Sequence, residues 1–170
     1  YIQNILKKGY QNYLPDIEDF ASQEDNICFA CSKKNQSGLQ MDFFIHPEQD
    51  HVISPILIDQ KYCGYPIYAH GGILTTLSDE IMSHVINFRL NQFAVTRTIT
   101  MDFLSPVYVN KPILIIGYVE QLINKKNKTI IKTKSEIREG FNVEGEILTK
   151  GKGIWIQIPK EQLIQLKNKI

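Results

Sequence analysis

The sequence predicts an α+β fold in which one antiparallel sheet of about six strands wraps one long central helix. Three observations predict it: a single long helical pattern in residues 69–90, strand patterns on both sides of it, and short polar connections between consecutive strands. Short connections favour antiparallel hairpins, whereas a parallel sheet needs strands and helices in alternation. A sheet of this size also leaves edge strands free, which favours a homo-oligomer.

The first segment, residues 1–13, has apolar side chains at roughly helical spacing and predicts a short amphipathic helix. Pro15 ends this pattern, and the acidic stretch in residues 16–25 is interpreted as a solvated linker. A second short helical pattern closes the chain. We therefore divide the chain into an N-terminal helix and linker (1–26), a main domain (27–159) and a helical tail (160–170).

Six segments of the main domain have the length and composition of strands and end at Pro, Asp, Asn or Gly. Two of them lie before the long helical pattern and four after it, and no internal repeat is present. The predicted strands are residues 39–46, 52–58, 93–104, 113–123, 128–138 and 143–158.

At 170 residues and a formal net charge of +1, the chain has the size of one domain and no long-range field to recruit nucleic acid or an anionic membrane. Hydrophobic residues at 43% and charged residues at 22% are typical of a folded globular protein. Three cysteines do not make a disulfide scaffold and favour a reducing compartment inside the cell. The cytoplasm and the mitochondrial matrix both stay open. No run of about 18 apolar residues predicts a membrane span.

The long helical pattern places two adjacent carboxylates on different faces. Asp79 points about 180° away from the centre of the apolar stripe, and therefore away from the core of its own domain. Glu80 lies on the flank with Thr76 and His84, so the two carboxylates are not expected to act as a coupled pair. Periodicity alone leaves open that both belong to a solvated helix face. The apolar stripe consists of Ile73, Leu77, Ile81, Val85 and Phe88.

Gly71 and Gly72 open this helix directly after His70. Glycines there let a substrate approach the backbone closely, and the unpaired N–H groups of the first turn suit a developing negative charge. One such donor is worth about 2.7–4 kcal/mol in the transition state of acyl transfer. A carboxylate about two turns further on could act as general base or nucleophile if a second subunit brought it near. The alternative is a tight strand-to-helix turn without a chemical role.

In this order, these residues and several others resemble the hotdog-fold acyl-CoA thioesterases of the PaaI type. The resemblance covers residues 28–159, and several spaced motifs in the right order are more specific than any one of them. The matching elements are Cys28-Phe29-Ala30-Cys31, Asn35, Gly38-Leu39, Gly64-Tyr65-Pro66, His70-Gly71-Gly72, Asp79, the strand at 94–96 and the segment 103–107.

The resemblance implies dimers, or dimers of dimers, joined through a continuous sheet, with an active site shared across the dimer interface. It implies hydrolysis of acyl-CoA thioesters, with coenzyme A as part of the substrate and no further cofactor. Asp79 would be the general base or nucleophile, and the Gly71 N–H would be the oxyanion donor. Thr96 would help to position the attacking water, and His70 would shape the turn. Residues expected on the substrate side are Gly64, Ile67, Gly72, Glu80 and Arg97.

Three positions depart from the family pattern. Position 64 is Gly where many of these enzymes have Asn or Gln to bind the thioester carbonyl, and Ser32 and Ile67 replace glycines. These departures motivate an alternative from another class of protein. In that hypothesis the chain is a catalytically silent hotdog subunit that binds acyl-CoA or is an accessory part of a larger complex, for example a mitochondrial one.

Cys28 and Cys31 have the spacing of a zinc or redox pair. A structural zinc site normally has four ligands, usually with a second close pair, and the sequence offers only Cys63 and scattered histidines. We therefore predict two small buried thiols and no metal site. A nucleophilic Cys63 with His70 as its base is a further hypothesis, but seven residues across a turn is poor spacing and favours a spectator thiol.

Overall fold

The computed structural model describes residues 1–14, 26–126 and 128–167. Its helices are α1 (Ile2–Lys7), α2 (Gly71–Leu90) and α3 (Lys160–Lys167), with a 3-10 turn at Gln60–Tyr62. Its strands are β1 (Gln11–Asn12), β2 (Phe44–Ile45), β3 (His51–Leu57), β4 (Cys63–Tyr65), β5 (Tyr68–Ala69), β6 (Phe93–Phe103), β7 (Pro112–Lys125), β8 (Lys128–Glu139) and β9 (Ile147–Ile158).

Seven of these strands form one antiparallel sheet in the order β1-β2-β3-β7-β8-β9-β6, and β4 and β5 form a separate hairpin. The long helix α2 packs against one face of the large sheet. The α+β class and the central helix are therefore confirmed. Strand β6 directly follows α2 in the chain but lies at the edge of the sheet, where it pairs with β9 alone among the described strands.

The middle of the sheet is buried on both faces, which explains the continuous apolar run of β7. Ile113 and Ile115 pack into the cluster around α2, whereas Leu114 and Ile116 pack into a second cluster with residues of α1. Successive strand residues point to opposite faces, so alternate members of one run serve two cores. The second cluster consists of Ile5, Tyr10, Phe44, Ile53, Leu114 and Ile116.

The predicted apolar stripe of α2 is confirmed as the face toward the sheet. Leu77, Ile81 and Val85 are fully buried. The helix crosses the sheet closely at Gly117 of β7, where an added Cβ would lie 2.8 Å from the carbonyl oxygen of Ile81. Glycine at this position therefore allows helix and sheet to approach each other.

The N-terminal prediction is partly wrong, because the helix ends at Lys7 instead of near residue 13. Gly9 has a φ of +87°, which residues with a side chain rarely adopt. This glycine turns the chain toward the sheet. The following residues pair with β2 as strand β1 and give the sheet its seventh strand. Ile5 and Tyr10 are buried nevertheless, as their apolar pattern indicates.

The predicted strand at residues 39–46 is shorter than expected and comprises only β2. Leu39 and Met41 donate their backbone N–H groups to the carbonyls of Phe29 and Ala30, at 2.9 and 3.0 Å. These local bonds to the Cys28–Cys31 segment, together with a positive φ at Gln40, take the place of sheet pairing.

The helical tail is confirmed over residues 160–167 as α3, and Leu163 is buried. Positions 168–170 and the acidic stretch interpreted as a linker lie outside the described residues. Among the helices that the structure describes, none has the length and apolarity needed to cross a membrane.

Candidate active site

The start of α2 is fixed by the β4–β5 hairpin and by a histidine cap. The backbone N–H of His70 donates to the carbonyl of Tyr62 at 3.0 Å. Its Nδ1 accepts a hydrogen bond from the Gly72 N–H at 2.9 Å, so the cap uses that donor. Within the described ranges the N–H of Gly71 makes no hydrogen bond. Of the two glycines, Gly71 therefore presents the donor that a ligand can use.

A cavity of about 370 Å³ opens in front of Gly71. A Cβ added at position 71 would lie 3.5 Å from the ring of Phe103, which forms the opposite side of the cavity. Most of the lining is apolar, so the cavity suits an acyl group close to the Gly71 N–H. Its lining residues are Tyr68, Ala69, Gly71, Leu74, Phe103, Leu104, Ser105, Pro106 and Val107.

A larger cavity of about 670 Å³ shares Ser105 and Pro106 with the first. It is also lined by residues at the start of β7, the end of β8 and the start of β9. Lys111 is the one cation among its lining residues, and Glu139 and Glu146 also line it. The sequence analysis did not single out Lys111, because a lysine before the first residue of a strand carries no distinctive pattern. The cavity offers a charged mouth next to an apolar site.

Asp79 lies on the second turn beyond Gly71 and contacts the edge strand. The hydroxyl of Thr96 donates to its Oδ1 at 2.8 Å. Burial raises the pKa of the Asp79 carboxyl, the hydrogen bond from Thr96 opposes this rise, and the charge of Glu80 adds to it. The structure thus brings together two residues, Asp79 and Thr96, that the resemblance assigns to one catalytic step.

Gly71 and Asp79 of the same helix are too far apart to act on one carbonyl group. Eight residues at about 1.5 Å each separate them by about 12 Å along the helix axis. A carboxylate side chain covers only a fraction of that distance. One copy of the chain therefore presents the Gly71 N–H at one place and the Asp79 carboxylate at another.

The remaining predicted substrate residues lie at three different places. Gly64 faces the cap, since a Cβ at this position would lie 3.3 Å from Cδ2 of His70. Ile67 is 52% exposed in the turn between β4 and β5, and Arg97 is exposed at the irregularity in the pairing of β6 with β9. None of these three residues is among those lining the two cavities described above.

Glu80 points away from the Gly71 cavity and toward the cysteine segment. Its Oε1 lies 3.2 Å from Nε2 of His84 and accepts a hydrogen bond from Cys28 Sγ at 3.8 Å. Burial raises the pKa of Glu80, but hydrogen bonds from His84 and from both thiols outweigh it, so that the net shift is downward. The contact with His84 agrees with the predicted flank of α2. The contact with Cys28, which is 52 positions away in the sequence, could not be predicted without the fold.

The two thiols of this segment differ in acidity. A hydrogen bond from Cys31 lowers the pKa of Cys28 to about 6, against the effect of burial. The same bond, with burial and the charge of Glu80, raises the pKa of Cys31. Of the two thiols, Cys28 is therefore the more acidic.

Comparison with known proteins relates the central part of the chain to a known family. Residues 68–137 match the model of the thioesterase superfamily. This range contains the start of α2, Asp79, Thr96 and both walls of the Gly71 cavity. FMP10 of Saccharomyces cerevisiae, described as an uncharacterized mitochondrial membrane protein, is 22% identical over 125 residues. That match covers 69% of this chain and 50% of the yeast protein, so the chain corresponds to about half the length of this relative.

Solved structures share the fold at low sequence identity. A thioesterase superfamily protein has a TM-score of 0.67 at 16% identity, over 91% of this chain and 73% of its own. PaaI of E. coli has a TM-score of 0.58 at 18% identity, over 71% and 81%. A thioesterase protein of Streptococcus pneumoniae, solved with coenzyme A, has a TM-score of 0.52 at 21% identity, over 64% and 78%. The hotdog fold is thus confirmed.

Proposed function

Because residues 68–137 match the model of the thioesterase superfamily, we propose that the protein hydrolyses acyl-CoA thioesters to the free acid and coenzyme A. The observation that carries this proposal is Gly71, whose N–H makes no hydrogen bond among the described residues and which lines a largely apolar cavity. The related Streptococcus pneumoniae structure was solved with coenzyme A, which supports this leaving group.

In the proposed reaction the thioester carbonyl accepts a hydrogen bond from the Gly71 N–H. Water attacks the carbonyl carbon and gives a proton to Asp79, while Thr96 holds the carboxylate in place. The tetrahedral oxyanion is stabilised by the Gly71 N–H and by the dipole of α2. The C–S bond then breaks, and the coenzyme A thiolate takes the proton back from Asp79. Direct attack by the Asp79 carboxylate is the other route, and both routes need its ionised form.

The distance of about 12 Å along the axis between Gly71 and Asp79 supports a site that two copies of the chain share. Strand β6 is a long edge strand with exposed apolar residues, among them Val95 at 50% and Phe103 at 54%. Unpaired edges of this kind pair readily with another strand. Pairing of β6 with its copy would bring Asp79 and Thr96 of one subunit toward the Gly71 cavity of the other, and two such sites would form in each dimer.

The test is hydrolysis of a panel of acyl-CoAs, followed with a dye that traps the released thiol. Asp79→Asn removes the base but preserves the shape of the side chain, so we expect the rate to fall by about 10²–10⁴-fold. The matched control is Glu120→Gln, which neutralises an exposed carboxylate on β7. A rate that Asp79→Asn leaves unchanged would exclude the assigned role of Asp79.

One observation favours a second candidate, a subunit that binds acyl-CoA without cleaving it. Position 64 has no side chain to polarise the carbonyl, and the space beside it is filled by His70 at 3.3 Å from an added Cβ. In this case calorimetry would detect binding of acyl-CoA while the thiol assay gives no signal. The mass of the native particle then decides whether the subunit is part of a larger assembly.

For the compartment, the description of the yeast relative as mitochondrial supports the mitochondrion. The proposal is checked by fractionating the cells that produce the protein and following it with an antibody. Co-fractionation with the mitochondria supports it, and recovery in the cytoplasm alone contradicts it.

A further inference from the structure

A cluster of possible metal ligands lies on the flank of α2 that faces away from the Gly71 cavity. Cys28, Cys31 and Glu80 each offer one ligand atom, and these three atoms lie within 4.8 Å of one another. In the sequence, the other Cys and His residues offer no evident partner for the two cysteines. Folding supplies a carboxylate from the helix.

The distance between Cys28 and Glu80 agrees with that between two ligands of a tetrahedral ion. With Zn–S bonds of about 2.3 Å and Zn–O bonds of about 2.0–2.2 Å, a sulfur and an oxygen ligand are about 3.5 Å apart and two sulfurs about 3.8 Å. Cys28 Sγ and Glu80 Oε1 are 3.8 Å apart. Closing the cluster around an ion therefore needs shifts of only a few tenths of an ångström for this pair.

Hydrogen bonds around the cluster hold the side chains of its three residues in place. The Ala30 N–H donates to Cys28 Sγ at 3.4 Å, and Asn26 Nδ2 donates to Cys31 Sγ at 3.9 Å. His84 Nε2 lies 3.2 Å from the Glu80 carboxylate. Partners that hold the ligands in this way are typical of metal sites, where they fix orientation and raise affinity.

The loop that carries the cysteines is itself held in one conformation. Asn26 Oδ1 accepts a hydrogen bond from the Cys28 N–H at 2.9 Å, and the Ser32 N–H donates to the Cys28 carbonyl at 3.1 Å. Glu80 and His84 are mostly buried, with side chains 17% and 10% exposed. A cavity of about 190 Å³ adjoins the cluster at Cys31 and His84 and has room for water beside it.

From this geometry we propose that Cys28, Cys31 and Glu80 bind a zinc ion, with His84 positioning the Glu80 carboxylate and water as the fourth ligand. Two soft thiolates with one carboxylate suit Zn²⁺ better than Mg²⁺ or Ca²⁺, which prefer oxygen ligands alone. The ion would connect the segment before β2 to the middle of α2, one residue after Asp79. This proposal does not depend on the hydrolysis proposed above.

The test uses the whole chain, reduced and freed of metal with a chelator, and titrates it with Co²⁺ and then with competing Zn²⁺. We expect about one ion per chain, an absorption band from thiolate-to-cobalt charge transfer, and visible bands typical of tetrahedral cobalt. Zinc should displace the cobalt and raise the Tm of the protein. A titration of the wild-type chain without the thiolate band would overturn the proposal.

Variants then identify the ligands. Cys28→Ser and Cys31→Ser should each remove the thiolate-to-cobalt absorption band that the two cysteines give together. Each should also remove the rise in Tm on addition of zinc. His84→Asn should weaken the affinity by about 10–100-fold, as expected for a residue that acts through a ligand. Cys63→Ser is the matched control and should bind like the wild type. Binding that Cys28→Ser and Cys31→Ser leave unchanged contradicts the assignment, and so does a Cys28–Cys31 disulfide that persists in reducing buffer by mass spectrometry.

Discussion

The environment of Asp79 predicts how the rate of the proposed reaction depends on pH. The pKa of Asp79 is raised by burial, and only the ionised carboxylate acts as base or nucleophile. The rate should therefore fall as the pH is lowered through a pKa that lies above the ordinary range of an aspartate. At higher pH the carboxylate is fully ionised, and this group no longer limits the rate.

Thr96→Val tests this contact while preserving the shape of the side chain. The hydroxyl donates to the carboxylate and so stabilises its charged form. Its loss should move the acidic limb of the kcat/KM profile to higher pH. Thr98→Val, at an exposed position on the same strand, is the control. An acidic limb that stays in place in Thr96→Val would show that the hydrogen bond does not act on the base.

For single residues, the helical periodicity predicted the directions of side chains on α2 but not the residues that they contact. The flank shared by Glu80 and His84 follows from their spacing of four residues, and the structure shows them in contact. The contacts of Asp79 with Thr96 and of Glu80 with Cys28 join different elements. They depend on the position of an edge strand and of a loop, which a single sequence does not encode as a pattern.

At the scale of elements, the first turn of α2 allows the Gly71 N–H to be removed without disturbing the helix. Gly71 is the first helical residue, where proline is well tolerated, and His70 before it has φ −66° and ψ 135°, as a residue preceding proline requires. A Cβ at this position meets only the ring of Phe103, at 3.5 Å or more.

Gly71→Pro should therefore fold like the wild type and lose about 10²–10³-fold in kcat, as expected when an oxyanion donor is deleted. Gly71→Ala is the control, because it adds a Cβ but keeps the N–H, and it should retain much more activity. The two variants are compared by thermal unfolding and by the thiol assay. Equal activity of Gly71→Pro and Gly71→Ala would exclude the N–H as the donor.

The strand predictions succeeded where a long β-branched run met no competing local structure. The four segments after α2 were found because their β-branched runs are long and end at turn residues. Strand β1 was predicted as helix, and β2 was predicted too long, since the turn at Gly9 and local hydrogen bonds of Leu39 and Met41 compete with the predicted patterns. Such competition is decided by tertiary contacts that propensity does not include.

For the whole molecule, the sheet order explains why the chain on its own does not complete the proposed site. The strand that follows α2 lies at the edge instead of beside β3, so the contact between Asp79 and Thr96 lies at the edge of the sheet. The sequence already indicates a carboxylate directed away from its own core. A second copy with its β6 against this edge would place that carboxylate beside the other Gly71.

A complementation experiment tests this arrangement directly. Asp79→Asn and Gly71→Pro chains are produced together with different affinity tags, and mixed dimers are purified by both tags in succession. If each site combines Gly71 of one subunit with Asp79 of the other, a mixed dimer has one intact site and one doubly altered site. It should therefore recover about half of the wild-type activity, although each variant alone is nearly inactive. Sites contained within single chains predict no recovery, because every chain in the mixed dimer carries one of the two substitutions. Light scattering of the same samples establishes that the purified species is a dimer.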